Sequence, residues 1–292
     1  MVVPLSKLRS VAGVLSFSLV CPALARQNAE IVSPIMLDAA GQRNLLETMR
    51  DYAEQYVSNL PNFTCFQITH QFEAGRRPNH WHKGDTITSK LVFSQGHEDR
   101  TLQLVNDKPV MPGMKSWRTP LTTEGEFGVL LGSVFGSFSD TSFAWRGWEV
   151  LRDKRLAVFD YSIDAAHSTL KLSLSDLAQA VVPYHGTVYA DAATGGIWRI
   201  TQNASHIPPE VRTRNISTTI DYGEVPIRAV VHLLPVKASV FLTTDTDVIR
   251  HEIEFTNYQK FETDSKITYA NDGNPAYVPA ENQAHSTAPP KP

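Results

Sequence analysis

The sequence predicts an α+β fold: a large, curved and unclosed antiparallel β-sheet (a half-barrel), with one long N-terminal helix and one shorter helix packed on one face. Two observations carry this prediction. A single amphipathic helix pattern near the N-terminus ends at Pro61. The remainder reads as short β-rich runs with turn signals about every ten residues, which is typical of an antiparallel meander. Strands do not alternate with helices, so the pattern excludes an α/β nucleotide-binding fold.

Composition and charge limit the possible classes of function. The 292 residues are 42% hydrophobic and 20% charged, which are ordinary values for a globular protein. The formal net charge is −3 and no long run of Lys or Arg occurs, so nucleic acid is not an expected partner. No internal repeat or linker divides the middle of the chain. We therefore expect one domain over residues 44–270.

The first 25 residues have the features of a secretory signal peptide. Lys7 and Arg9 form a basic start, an apolar stretch follows, and Ala23-Leu24-Ala25 is a small-residue cleavage site. The apolar stretch is too short to span a bilayer, so a retained anchor is the weaker alternative. We predict export to the periplasm or the extracellular space, with a location peripheral to the outer membrane as one option, and no transmembrane segment in the mature chain.

The two cysteines have different expected roles. Cys21 lies inside the predicted signal, and lipid attachment there is the lesser alternative because Val20 is bulky where a lipoprotein signal needs a small residue. Cys65 would then be the only thiol of the mature protein, so no intrachain disulfide is expected. Its position in an alternating strand pattern predicts a small buried side chain rather than a reactive one.

The N-terminal helix is predicted from apolar residues at helical spacing. Residues 26–43 are expected to be a flexible leader, with Asn44 as the N-cap and Pro61 ending the helix. The apolar face needs a broad surface to cover, and a sheet provides one. The side chains that we expect to form a lid over that sheet are Leu45, Met49, Tyr52 and Tyr56.

The first strand is predicted directly after the turn at Pro61. Phe66, Ile68 and Phe72 alternate with polar residues, which is the period-two pattern of a half-buried strand. We assign these three apolar residues to the core side of the sheet. Further strands follow to about residue 255, and residues 271–292 have the composition of a disordered tail.

A second, shorter helix is predicted over 126–138. Gly128, Gly132 and Gly136 recur at every fourth position and would give this helix one small face. The apolar run is too short to span a membrane, so the small face favours close packing against the sheet or the other helix.

No motif indicates catalysis. The chain has no G-x-S-x-G or S-x-x-K nucleophile motif and no P-loop. His80-Trp81-His82 could begin a metal site, but a third ligand is not evident and Asp85, His97 and Asp99 are only possibilities. We expect no cofactor, no metal and no enzymatic activity.

Two stretches resemble periplasmic lipoprotein-carrier and lipoprotein-sorting proteins of the LolA, LppX and RseB type. They are VYADAATGGIWRIT at 188–201 and ISTTIDYGEV at 216–225. The chain from about Tyr52 to Tyr269 is also similar to uncharacterised secreted proteins of Acidobacteria, through LPNF-x-C, GEFG-x-L-L and YHG-x-VY-x-D.

The carrier resemblance implies a half-barrel lidded by helices around an apolar cavity for acyl chains. It implies that the protein binds a lipid, a lipoprotein acyl chain or another apolar ligand without catalysis. The residues expected to line such a cavity are Phe66, Ile68, Phe72, Leu91, Phe93, Trp145, Trp148, Phe159, Tyr161 and Trp198.

Three alternatives remain open at this point. The same apolar residues could fill a closed core, since an antiparallel sheet with one wet face needs them anyway. The protein could be an interaction module that recruits an envelope protein partner through a sheet edge. A metal-dependent envelope hydrolase using His80 and His82 is the weakest of the three.

Overall fold

The computed structural model describes residues 37–75, 80–110, 126–173 and 179–261. Over these residues the helices are α1 Ala39–Asn59 and α2 Val129–Phe135. The strands are β1 Phe63–Ala74, β2 His82–Ser94, β3 His97–Val105, β4 Lys108–Pro109, β5 Ser142–Leu151, β6 Lys154–Ile163, β7 Lys171–Ser173, β8 Gln179–Val181, β9 Tyr184–Ala190, β10 Ile197–Ala204, β11 Thr213–Ile227, β12 Val230–Thr244 and β13 Val248–Lys260.

Eleven of these strands form one antiparallel sheet in the order β4-β3-β2-β1-β13-β12-β11-β10-β9-β6-β5. Most neighbours are also consecutive in the chain, as short turns require, but β1 pairs with β13 from Phe63↔Lys260 to Ala74↔Val248. Within the described residues β4 and β5 lie at opposite ends and do not pair, so the sheet is unclosed. The predicted fold class is confirmed.

Helix α1 begins earlier than the apolar pattern predicts. Asp38 is the N-cap, and its Oδ1 accepts the Gly41 N–H at 2.7 Å. An aspartate in that position satisfies a backbone donor that the first turn leaves free. Residues 39–43 are therefore helical, not part of a flexible leader, and Asn44 lies inside the helix. Helix α2 is shorter than the predicted 126–138.

The two faces of the sheet differ in what covers them. We call the face that carries α1 and α2 the helix face and the opposite one the outer face. The pairings of β1 shift register once with β13 and once with β2, but each extra residue lies on the partner strand, so β1 keeps its alternation. Its Phe63 and Cys65 are buried in the cluster under the helices. Phe66, Ile68 and Phe72 have the opposite parity and lie on the outer face, so the sequence-based assignment of these residues to the core side is wrong.

These apolar side chains are only half-exposed on the outer face, because side chains of neighbouring strands cover part of their surface. Phe72 is the Cα partner of Arg250, whose guanidinium lies 4.7 Å from the Phe72 ring centroid and 4.6 Å from that of Trp81. The part of this face on β10, β11 and β12 is rich in threonine and charged residues, such as Thr219 opposite both Thr201 and Ser239. It has the composition of a solvated sheet face.

Buried tyrosines join the helices and the sheet. The Tyr56 hydroxyl of α1 donates to the Leu233 carbonyl at 3.0 Å, at the start of β12. The Tyr222 hydroxyl of β11 donates to the Glu126 carbonyl at 3.1 Å, three residues before α2. A buried hydroxyl needs such a partner, and these bonds hold both helices in register with the strands.

Other predictions concern parts of the chain outside the described residues. The predicted signal peptide at 1–25 and the predicted disordered tail at 271–292 lie there. Among the residues that are described, no helix is long and apolar enough to cross a membrane.

Candidate functional site

The structure brings most of the predicted site residues together on the helix face. Leu45, Met49 and Tyr56 of α1 are buried in one apolar cluster, and Tyr52 packs against it partly exposed. The predicted cavity residues that belong to this cluster or pack against it are Leu91, Phe93, Trp145, Trp148, Phe159 and Tyr161. The expected lid helix and six of the ten expected lining residues therefore share one location.

The other four expected lining residues lie elsewhere. Phe66, Ile68 and Phe72 are on the outer face, as described above. Trp198 is buried but lies outside the helix-covered cluster, where the Lys154 ammonium is 4.1 Å from its ring centroid. These residues cannot line a cavity under the helices.

Directly beneath the helices, the described side chains pack against one another. The Phe63 and Phe93 rings stack with centroids 5.0 Å apart, and Phe127 lies 5.4 Å from Phe63. Met49 and Leu131 have no exposed surface. This part of the helix face is a packed core, and open space lies at its border.

One such space is a groove between α1 and α2, which we call the interhelical groove. Its volume is about 670 Å³. Its apolar lining includes Val57 of α1, Val134 and Phe135 of α2, and Phe143 of β5. Charged side chains also line it, namely Arg50, Asp51, Glu54 and Asp140. The groove thus combines an apolar part with a charged rim.

The glycine spacing of the second helix explains why the groove exists. A Cβ at Gly128 would lie 2.4 Å from Val57 Cγ2, so this glycine allows the two helices to approach closely. A Cβ at Gly132 would meet nothing within 4 Å, because this glycine lies in the groove. The sequence shows the glycine spacing, from which we predicted a face for close packing. That prediction missed that Gly132 leaves space open.

Aromatic contacts hold the end of the groove next to the sheet. The Phe135 and Phe143 rings stack with centroids 5.3 Å apart, which fixes the last turn of α2 on edge strand β5. The Arg50 guanidinium of α1 lies 5.9 Å from the Phe143 centroid. A cation in this position both borders the groove and is attracted to the ring face.

A second groove lies on the other side of α1. It has a volume of about 400 Å³ and is bordered by Tyr52 and Gln55 of α1 and by Val231 and His232 near the turn between β11 and β12. It is smaller than the interhelical groove.

Several solved structures match the chain at low sequence identity, and three of them are described here. No family model and no curated protein matches the chain. A LolA superfamily protein from Nitrosomonas europaea matches with 10% identity and a TM-score of 0.35, covering 78% of this chain and 97% of the other. A domain described as an outer membrane lipoprotein-sorting protein domain, from Vibrio parahaemolyticus, matches with 9% identity and a TM-score of 0.37, covering 80% and 96%.

The third match is a DUF1329 family protein from Desulfovibrio piger, with 7% identity and a TM-score of 0.37, covering 77% of this chain and 95% of the other. Two of the three names belong to the class of protein that the 188–201 and 216–225 stretches resemble. The resemblance to secreted acidobacterial proteins stays a prediction. A likeness at such TM-scores does not carry a function from one protein to another, so the chain's own geometry has to supply it.

The residues considered for metal binding and for thiol chemistry are His80, His82 and Cys65. His80 and His82 are exposed, and within the described ranges no three His, Cys, Asp or Glu side chains are grouped to hold a metal ion. Cys65 is buried, as predicted, and burial raises the pKa of its thiol to about 12. The thiol is therefore protonated at neutral pH and a poor nucleophile.

Beyond the helix-covered cluster the helix face continues along β1 and β13 with polar side chains. Gln71 and His251 are Cα partners there, and both are buried. Burial lowers the pKa of the His251 imidazole below its usual value of 6.5, because a charged ring loses its hydration. The imidazole is consequently neutral in the folded protein at neutral pH.

We expect this histidine to make stability depend on pH. Since its folded pKa is depressed, the unfolded chain binds more protons between that pKa and 6.5. The free energy of unfolding should keep its full value above about pH 6.5 and decrease as the pH falls below it. Chemical denaturation measured at a series of pH values checks this.

His251→Leu should flatten the pH profile, and this variant is the control. Burial also lowers the pKa of His232, so the double variant His251→Leu/His232→Leu should flatten it further. Identical profiles for wild type and His251→Leu would contradict the expectation.

Proposed function

We propose that the protein is an exported, non-catalytic binding protein of the cell envelope that holds a lipid, a lipoprotein acyl chain or another apolar ligand in the interhelical groove. The observation that carries the proposal is the groove itself. Its volume of about 670 Å³ lies within the range of small-molecule binding sites, roughly 300–1,000 Å³. Its location matches the place where the sequence predicts a lid helix over the sheet.

The lining supports an amphiphilic ligand. An alkyl chain in contact with Val57 and Phe143, the half-buried apolar side chains of the lining, would be stabilised by about 0.8 kcal/mol for each buried methylene group. Arg50 and Asp140, at the charged rim, are both exposed and could orient a polar end without being desolvated themselves. In such an arrangement the apolar lining binds the alkyl chain and the charged rim orients the polar end. Neither interaction needs a reactive group.

Recruitment of a partner through a sheet edge receives less support. At the β5 edge the pairing with β6 shifts between Trp145 and Gly147, and Gly147 has a φ of 140°. A bulge of this kind interrupts the regular hydrogen-bonding edge that an added strand needs.

Filling the groove tests the proposal. Gly132→Leu places a side chain in the open space of the groove, so it should weaken binding of an apolar probe such as N-phenyl-1-naphthylamine at least tenfold. The helix should not suffer, because leucine has a higher helix propensity than glycine by roughly 0.8 kcal/mol. Fluorescence titration of the probe gives the dissociation constant, and native mass spectrometry of gently purified protein shows whether a co-purified lipid is lost.

Gly75→Leu is the matched control. A Cβ at Gly75 also meets nothing within 4 Å, and this residue follows β1 away from the groove. It should leave probe binding unchanged. Equal affinities for wild type, Gly132→Leu and Gly75→Leu would show that the groove is not the binding site.

A further inference from the structure

A row of polar side chains occupies the helix face beyond the packed cluster. Along β1 the side chains of Phe63 and Cys65 lie in the cluster, and Gln67, Thr69 and Gln71 continue the same face. At about 3.3 Å per residue, Gln71 is roughly 20 Å along the strand from Cys65. The partner strand contributes His251, directly opposite Gln71.

These polar groups are buried, yet three of their atoms lack a partner. Gln71 is 7% exposed and His251 is 1% exposed. Gln67 Oε1, Gln71 Nε2 and His251 Nε2 make no hydrogen bond to any described residue. Buried polar atoms in native proteins nearly always have a partner, and leaving one without costs free energy. Gln71 and His251 lie directly opposite each other, and Gln67 lies two positions along the same face, where its Nε2 donates to Thr69 Oγ1 at 3.4 Å. Three unpartnered atoms along one face indicate a group that binds there.

The surroundings restrict the chemistry of that group. Ile87 is the Cα partner of Thr69, Val240 is the partner of His251, and Leu242 lies two positions beyond Val240 on the same face. All three are buried and belong to neither apolar cluster of the core. The cluster itself offers an acceptor at Gln67, a donor at Gln71 and an uncharged imidazole. A charged group would be desolvated there without a counter-charge, whereas a hydroxyl or amide could use both the donor and the acceptor.

We propose that Gln67, Gln71 and His251 form a second binding site, which takes the uncharged hydroxyl or primary amide group of a ligand with an apolar body. The apolar body lies against Ile87, Val240 and Leu242. The site is separate from the interhelical groove, since none of its residues lines that groove. It goes beyond the proposed function, because the two sites differ in the head group that they favour. This site takes an uncharged polar group, whereas the interhelical groove has charged side chains at its rim.

The test compares three probes of equal chain length: 1-decanol, 1-methoxydecane and decanoate. Their affinities are measured by NMR titration of uniformly ¹⁵N-labelled protein. The direct readout is the His251 ring resonances where this residue is present, and the backbone amide resonance of residue 71 in every variant. In the Gly132→Leu background, which blocks the groove, decanol should bind at least tenfold more tightly than the other two. The ether lacks the donor that Gln67 accepts, and decanoate carries a charge.

Gln71→Leu and His251→Leu should abolish the preference for decanol. Each replaces a buried unpartnered group by an apolar one of similar size, so the Tm of the ligand-free protein should not fall. His70→Leu is the matched control, because His70 neighbours Gln71 on the same strand but lies on the outer face, and it should keep the preference.

Three results would overturn the inference. Equal binding of the three probes would mean that the polar atoms bind water only. A preference for decanol that survives in Gln71→Leu and His251→Leu would mean that these side chains do not bind the hydroxyl. A preference for decanol that is present in wild type and lost in Gly132→Leu would place the hydroxyl in the groove. Because the groove is tested by the naphthylamine probe in the wild type, failure of either site is recognised independently of the other.

Discussion

Replacing Arg100 by methionine is expected to destabilise the protein by about 3–5 kcal/mol, the usual cost of leaving a buried charge without its partner. Arg100 Nη2 lies 2.9 Å from Glu126 Oε2 and 2.7 Å from Glu98 Oε2. The Glu126 side chain is only 2% exposed, so water cannot take over the role of the guanidinium. Denaturant unfolding of wild type and variant gives the difference in free energy.

The effect should extend to helix α2, because Glu126 lies three residues before it. The carbonyl of the same residue accepts the Tyr222 hydroxyl, so displacement of Glu126 disturbs a second anchor of the helix. The double variant Arg100→Met/Glu126→Gln should recover much of the loss, since it removes the buried charge as well.

An exposed ion pair provides the comparison for Arg100. Lys154 and Glu224 are paired at 3.0 Å, with Glu224 59% exposed, so Glu224→Gln should cost no more than about 1 kcal/mol. A loss for Arg100→Met no larger than that of Glu224→Gln would show that the buried pair does not anchor the helix.

Truncation of Phe63 should have an effect of similar size, about 3–5 kcal/mol for Phe63→Ala. The ring has no exposed surface. It contacts Phe93 of β2, Phe127 before α2 and Tyr258 of β13, with centroids 5.0 to 5.4 Å away. Its removal leaves a cavity that these three separate segments would have to close. The midpoint of denaturant unfolding measures the loss.

Phe66→Ala, three residues further along the same strand, is the matched control. Phe66 is half-buried on the outer face and belongs to no core cluster, so about 1 kcal/mol is expected. The pair of variants also tests the side assignment of β1 directly. A larger loss at Phe66 than at Phe63 would mean that the faces are the reverse of those described.

The sequence predicted those parts of the candidate site for which the residue pattern is compatible with a single arrangement. Helix α1 has its apolar residues on one stripe, so Leu45, Met49 and Tyr56 could only face the sheet, and they do. The interhelical groove was not predictable in this way. Whether a small glycine face closes tightly or leaves space depends on the distance between two helices, and Gly128 and Gly132 show both outcomes within one turn.

The amino-acid pattern by itself determined the class of the fold: turn signals and period-two alternation suffice for a long antiparallel sheet, and one amphipathic helix needs such a sheet to cover. Only the tertiary structure decided which face of β1 the helices cover. Apolar residues occur at both parities of this strand, Phe63 and Cys65 on one and Phe66 and Ile68 on the other. Alternation separates two faces but does not say which one is inside, because that depends on long-range pairing with β2 and β13. The same pairing places Gln71 and His251 side by side, 180 residues apart in the chain, and buries them as no local pattern could predict.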